Sequence, residues 1–231
     1  METETQPTIK GIITSRSQIQ NFDNGCISSS TELSKIIQIG EKIDNPYAGQ
    51  FSHEFKILNL NGVLTNIEAD EPGIVSNPFD EYLKSATVTG MLILRPKFTY
   101  TQADQDYCLS FVGKMRYDLL GLPDEGFRFL TEYLQKEYDK ILAGGVTGNE
   151  HGIWLGKSDS PKTSMCAEFC SITDNHAFSK SNVPNGTTIG LENELMPDLF
   201  LNEVAPSDSI LCQYYDVYIV DLPALRKEIG L

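Results

Sequence analysis

Phe51-Ser52-His53-Glu54-Phe55-Lys56-Ile57-Leu58 has the β-branched, aromatic and apolar character of a strand, and Val63-Leu64-Thr65-Asn66-Ile67-Glu68-Ala69 has it again. Between them stands Asn61-Gly62, the strongest short hairpin signal a sequence offers. A two-residue turn there sets His53 opposite Asp70 and diagonal to Glu68. Diagonal neighbours lie about 7–8 Å apart at the backbone, within reach of a hydrogen bond between long side chains. The apolar pattern favours the register one residue away, with Phe55 opposite Ile67. A bulge in one strand reconciles the two, so a bulge is expected in this hairpin.

The remaining pattern predicts alternating short strands and helices. Ile9 to Arg16 reads as an opening strand, and Leu33, Ile36, Ile37 and Gly40 as a short amphipathic helix closed by glycine. Gly73 to Phe79 reads as a connection, Phe79 to Leu83 as a helical turn, and Ala86 to Arg95 as a buried strand stopped by Pro96. Thr101 with Asp104 forms a capping box opening a helix through Tyr107, Cys108, Phe111 and Val112 to Met115, with Cys108 on its apolar stripe. Asp124 to Ala143 is the longest helical candidate, ended by Gly144-Gly145. Gly144 to Thr163 is rich in Gly, Ser and Pro and reads as a wall or lid over a pocket. Ser164 is a fitting N-cap for a helix running to Thr173, which puts Cys166 in the first helical turn. Asn175 to Gly190 is irregular, and Ser209 to Val220 reads as a strand, straight or bent, with Cys212 packed inside it.

Composition changes this picture in three ways. A chain of 231 residues is long enough for one domain with a full core, and residues 1–231 are expected to form a single domain. The formal charge of −14 argues against nucleic acid or an anionic membrane as a partner, since both reward Lys and Arg. Five cysteines without regular spacing do not form a disulfide framework. The amino terminus carries neither a basic stretch nor an apolar run, and no segment approaches the ~20 apolar residues of a membrane span. A cytoplasmic protein without membrane insertion is the default expectation.

The chemistry centres on Cys166. Backbone N–H groups at a helix start stabilise a thiolate and pull a cysteine below its usual pKa of about 8.5. A cysteine nucleophile also needs a base, and a polar group to orient that base. The three histidines are His53, His151 and His176. Of these, His53 lies on the predicted hairpin with Glu68 on the neighbouring strand. Cys166 and Cys170 with His176 also have a ligand-like spacing, but zinc wants three or four ligands and no further partner stands nearby in sequence.

Ser52-His53, then Ile67-Glu68-Ala69 with Gly73-Ile74-Val75, then Gly113 with Tyr117-Asp118, then Cys166-Ala167-Glu168-Phe169 resemble the circularly permuted papain-like enzymes. These are the YaeF/YiiX-type amidases, related to the NlpC/P60 cysteine peptidases. In them the histidine and its polar partner precede the cysteine. The resemblance spans about residues 11 to 220. It departs from the family in Ala167, where Ser is usual, and in a long connection between Tyr117 and Cys166.

The resemblance implies an α+β, papain-like permuted fold: a small antiparallel sheet or partial barrel packed against helices. It implies a cysteine amidase or peptidase that needs no cofactor and no metal. Cys166 would be the nucleophile, His53 the base, Glu68 the orienting group, and Tyr117 a tyrosine whose hydroxyl lies near the cysteine. Substrates of such relatives are small-molecule, peptide or lipid-like amides. An acyltransferase using the same thioester, and an inactive binding module on the same fold, are the competing readings.

Overall fold

The hairpin forms with the register that its turn dictates. Strand β3 (His53–Leu60) and strand β4 (Val63–Asp70) pair from Leu60↔Val63 to Lys56↔Ile67 without a shift. Asn61 and Gly62 adopt φ of 55° and 86°, the positive pair that a two-residue turn requires. The expected bulge is absent from this ladder. Beyond Lys56↔Ile67 the two strands part instead. The His53–Lys56 end of β3 pairs with β2 (Asn24–Ser29), and the Glu68–Asp70 end of β4 pairs with β5 (Gly73–Pro78). Splaying two strands satisfies the same conflict between register and apolar pattern that a bulge would.

The computed structural model describes residues 7–31, 34, 35, 38, 49–70, 73–114, 116–117, 163–164, 166–180, 192–199 and 204–231. Most of the helix expected from Leu33 to Gly40, all of the helix Asp124–Ala143, and most of the loop Gly144–Thr163 lie outside them. Within the described residues the protein is a mixed α+β structure. Its main sheet has seven strands in the order β1-β9-β6-β2-β3-β4-β5, with β1 (Ile9–Ile13), β6 (Val88–Pro96) and β9 (Tyr215–Val220) completing it. All neighbours are antiparallel except β1 and β9. The sheet is therefore larger than the small antiparallel one expected from sequence. A two-stranded parallel ladder of β7 (Arg116–Tyr117) and β8 (Thr163–Ser164) stands apart from it.

Side-chain alternation gives the sheet two apolar faces, and helices cover both. On one face Ile27, Phe55, Ile57 and Ile93 pack with Leu83 of α1 (Asp80–Lys84). Phe55 lies over Gly25, where an added Cβ would meet its ring at 2.2 Å, so only glycine fits there. The opposite face carries Leu58, Ile67 and Ala69 against Cys108 of α2 (Gln102–Leu109) and Phe169, Cys170 and Ile172 of α3 (Cys166–Ser179). Next to that cluster, Leu92, Leu94 and Val217 pack with Ile210 of α4 (Pro206–Leu211). On the first face α5 (Leu222–Glu228) closes the chain, burying Leu222 and Leu225.

The opening strand ends at Ile13, short of the expected Arg16, and α2 ends at Leu109, short of the expected Met115; three further boundaries differ from the sequence reading. Gly73–Pro78 is an edge strand and not a connection, consistent with the position of Pro78 at its end. Helix α3 continues through Asn175 to Ser179, because the polar residues there are buried and bonded inward: Asn175 Nδ2 donates to Ser171 O and to Asn193 Oδ1, both at 2.9 Å. Residues 206–211 are helical, with Pro206 in the first turn and Asp208 accepting the Ala205 N–H at 2.8 Å. Cys212 accordingly caps α4, half-buried, and is not inside a strand. Among the described residues no helix is long and apolar enough to cross a membrane.

Candidate active site

The parting of β3 and β4 is where the candidate residues meet. Glu54 lies two residues beyond Lys56 on the same edge of β3, so in a continued ladder its N–H would face Ala69. That N–H instead donates to the sulfur of Cys166, the first residue of α3, and the N–H of Ala167 does the same. Helix α3 packs on the Glu54/Lys56/Leu58 face of the sheet, whereas His53 belongs to the opposite, Phe55/Ile57 face. The gap between the strands lets the sulfur reach through to the imidazole, and the two are hydrogen-bonded.

His53 Nε2 lies 2.8 Å from Glu68 Oε2. With Nε2 held by the carboxylate, Nδ1 is the ring nitrogen left for the sulfur. Glu68 is buried, and it also accepts hydrogen bonds from Tyr82 Oη on Oε2 and from Asn77 Nδ2 on Oε1 at 3.2 Å. Tyr82 is held for this by its ring, which stacks on Phe55 with centroids 4.7 Å apart. Sequence reasoning missed Tyr82 and Asn77. Phe79, Tyr82 and Leu83 fall at helical spacing on one face, which marks Tyr82 as buried with a polar tip. Asn77 sits opposite Asn66 in the β4–β5 ladder, diagonal to Glu68.

The charges reinforce one another. Burial alone would push the Cys166 thiol up, but the charge and hydrogen bond of His53, with the N–H groups of Glu54 and Ala167, outweigh it and carry it below the ordinary thiol value. Burial would lower His53, yet the sulfur and then Glu68 hold its imidazole well above the ordinary histidine value. Glu68 resists burial through His53, Tyr82 and Asn77 and stays below the usual carboxylate range. Burial drives the other buried thiols the opposite way, with Cys108 pushed up to about 12 and Cys170 raised well above the usual range.

Tyr117 pairs through its backbone with Ser164, two residues before Cys166, so β7 runs beside the segment that leads into Cys166. The position of its side chain lies outside the described residues. Cys170 and His176 do not join Cys166. Cys170 is in the core, and His176 stacks on Tyr107 at 3.9 Å with Nδ1 2.9 Å from Asp104 Oδ1. Among the described residues no group of three or more His, Cys, Asp or Glu side chains is placed to hold a metal ion.

No protein-family model matches the chain, and no curated protein matches it in sequence. Among solved structures, the metalloprotein YiiX from Escherichia coli O157:H7 aligns over 87% of this chain and 89% of its own, at 12% identity and a TM-score of 0.40. A likeness of that size is too loose to carry chemistry from one chain to the other.

Proposed function

We propose that the protein is a cysteine hydrolase that cleaves an amide bond through Cys166, His53 and Glu68, on a fold of the circularly permuted papain-like kind. One observation carries the reading: the Cys166 sulfur is hydrogen-bonded to an imidazole whose other nitrogen is held at 2.8 Å by a buried carboxylate, with the thiol shifted down and the imidazole up. This arrangement stores a thiolate beside an imidazolium. The thiolate attacks the carbonyl carbon, and the tetrahedral oxyanion is received by the backbone N–H of Cys166 at the start of α3. Collapse of that intermediate expels the amine, which takes its proton from His53 Nδ1, and leaves a thioester on Cys166. Water, deprotonated by His53, then releases the acid. Glu68 keeps the ring oriented and stabilises its cationic form.

The test is iodoacetamide labelling at pH 6.5, read by peptide mapping, followed by a screen of amide substrates with and without an added amine acceptor. Cys166 is expected to label at least ~10-fold faster than the other four cysteines. His53→Ala should remove that advantage, and Cys166→Ala should abolish turnover. A wild-type Cys166 that labels no faster than Cys108 defeats the proposal. Product transferred to the added amine in preference to water would reassign the same site to an acyltransferase.

A further inference from the structure

A cleft of about 690 Å³ opens beside His53 and Glu68, on the face of the sheet opposite α3. Its lining includes Asn66 on β4, two residues from Glu68 and on the same side of the strand, and Ser52, immediately before β3. Asn66 is fully buried, and neither its Nδ2 nor its Oδ1 has a hydrogen-bond partner; the Ser52 hydroxyl, 3% exposed as a residue, has none either. Their neighbours are saturated by contrast, since Glu68 accepts from His53, Tyr82 and Asn77. Buried carboxamides in folded proteins almost always use some of their two donors and two acceptor lone pairs. One that uses none, in the lining of a cleft it shares with His53, is a polar surface prepared for something that arrives.

We propose that Asn66, assisted by Ser52, is a binding subsite that hydrogen-bonds a second amide group of the substrate, one flanking the bond to be cleaved. This rests on the assignment of Cys166 and His53 above and names the substrate class: a peptide-like chain with amides in series, as against a fatty acyl amide. A carboxamide presents a donor and an acceptor side by side, the complement of another amide, whereas an alkyl chain would leave both unmet. Asp70 and Glu81 also line the cleft, and among the described residues no Lys or Arg does.

The test compares two chloromethyl ketones, in each of which the Cys166 thiolate displaces chloride from carbon and forms a thioether. Alanyl-alanyl chloromethyl ketone, with a free amine, carries an amide in series, and 1-chloro-2-octanone carries none. Rates of Cys166 alkylation are read by intact mass, with iodoacetamide as a small reference reagent. The wild type is expected to react at least ~10-fold faster with the dipeptidyl probe, and Asn66→Leu should collapse that ratio to within ~2-fold. Ser52→Ala should lower it by ~3-fold. Because Asn66→Leu removes unmet polar atoms, its Tm should rise by ~2–4 °C; if it folds poorly, Asn66→Ala takes its place. Equal rates in the wild type, a preference for the alkyl probe, or a ratio unchanged in the variant would overturn the subsite alone. A wild-type Cys166 inert to all three reagents would overturn the subsite and the hydrolase assignment together.

Discussion

Glu68 stands one step back from Cys166 and acts on it through His53, whose Nε2 it holds at 2.8 Å. Its carboxylate takes three donors, and among the forces that raise the imidazole it ranks behind the sulfur's charge and hydrogen bond. Replacing it with Gln keeps the shape and removes the charge. The imidazolium is then less stable, so the thiolate it supports forms only at higher pH. We expect Glu68→Gln to slow iodoacetamide labelling of Cys166 at pH 6.5 by on the order of 10–100-fold and to move the rising limb of its pH profile up toward the ordinary thiol range near ~8.5. Tyr82→Phe should move the limb in the same direction by less, because it removes one donor and leaves the charge in place. A profile unchanged in Glu68→Gln would mean that the carboxylate only packs.

Helix α3 has to be fixed along its axis for Cys166 to reach through the sheet, and its third turn supplies the fixing. Cys166, Cys170 and Asp174 recur every four residues, so they form one stripe facing β3. Asp174 is completely buried and pairs with Lys56 Nζ, itself completely buried. It also accepts from Tyr100 Oη, from Asn24 Nδ2 at 2.8 Å and from Tyr215 Oη at 2.5 Å. Removing one partner strands a charge where no water reaches it. Lys56→Met or Asp174→Leu should each cost ~3–5 kcal/mol in urea unfolding, while the two together should recover part of that loss. A double variant as unstable as the sum of the singles would show that the pair is not coupled.

The same helix marks how far the sequence could be read. The hairpin, its Asn61-Gly62 turn, the start of α3 at Cys166 and the closeness of His53 to Glu68 were legible, since each follows from local turn, cap or alternation rules. Lys56 was not, because an isolated Lys on an apolar strand reads as an outward charge until its partner, more than a hundred residues away, is placed over it. Residues 209–211 were misread as strand because the helix that holds them, six residues long, is too short to separate a helical period from an apolar strand. The missing bulge has the same kind of cause: local pattern recorded the conflict between register and burial, but only the pairing of β2 and β5 on either side decided that the strands would part.

For the whole molecule, two glutamates at the strand gap pull stability in opposite directions with pH. Glu68 titrates below its ordinary value of 4.5, so its contribution is complete above that value and is lost as the pH falls through its lower folded one. Glu54 is the reverse case. It is fully buried on the α3 face, and burial, with the charges of Asp174 and Cys166 adding to it, raises its pKa from 4.5 to about 8. Between those values the folded protein keeps a proton that the unfolded chain has lost, so stability declines as pH rises across that range and levels off above it. Asn24 Nδ2 donates to Glu54 Oε1 at 2.8 Å, a bond that Gln can equally accept. Urea midpoints taken at pH 5, 6.5 and 8 should therefore fall in the wild type, with Glu54 accounting for ~2–4 kcal/mol across the series. In Glu54→Gln that portion of the fall should disappear, with little change at pH 5. An equal fall in both proteins would show that Glu54 is already ionised at pH 5 in the fold, and with it that the negative charge of the Cys166 thiolate is borne beside a second buried anion.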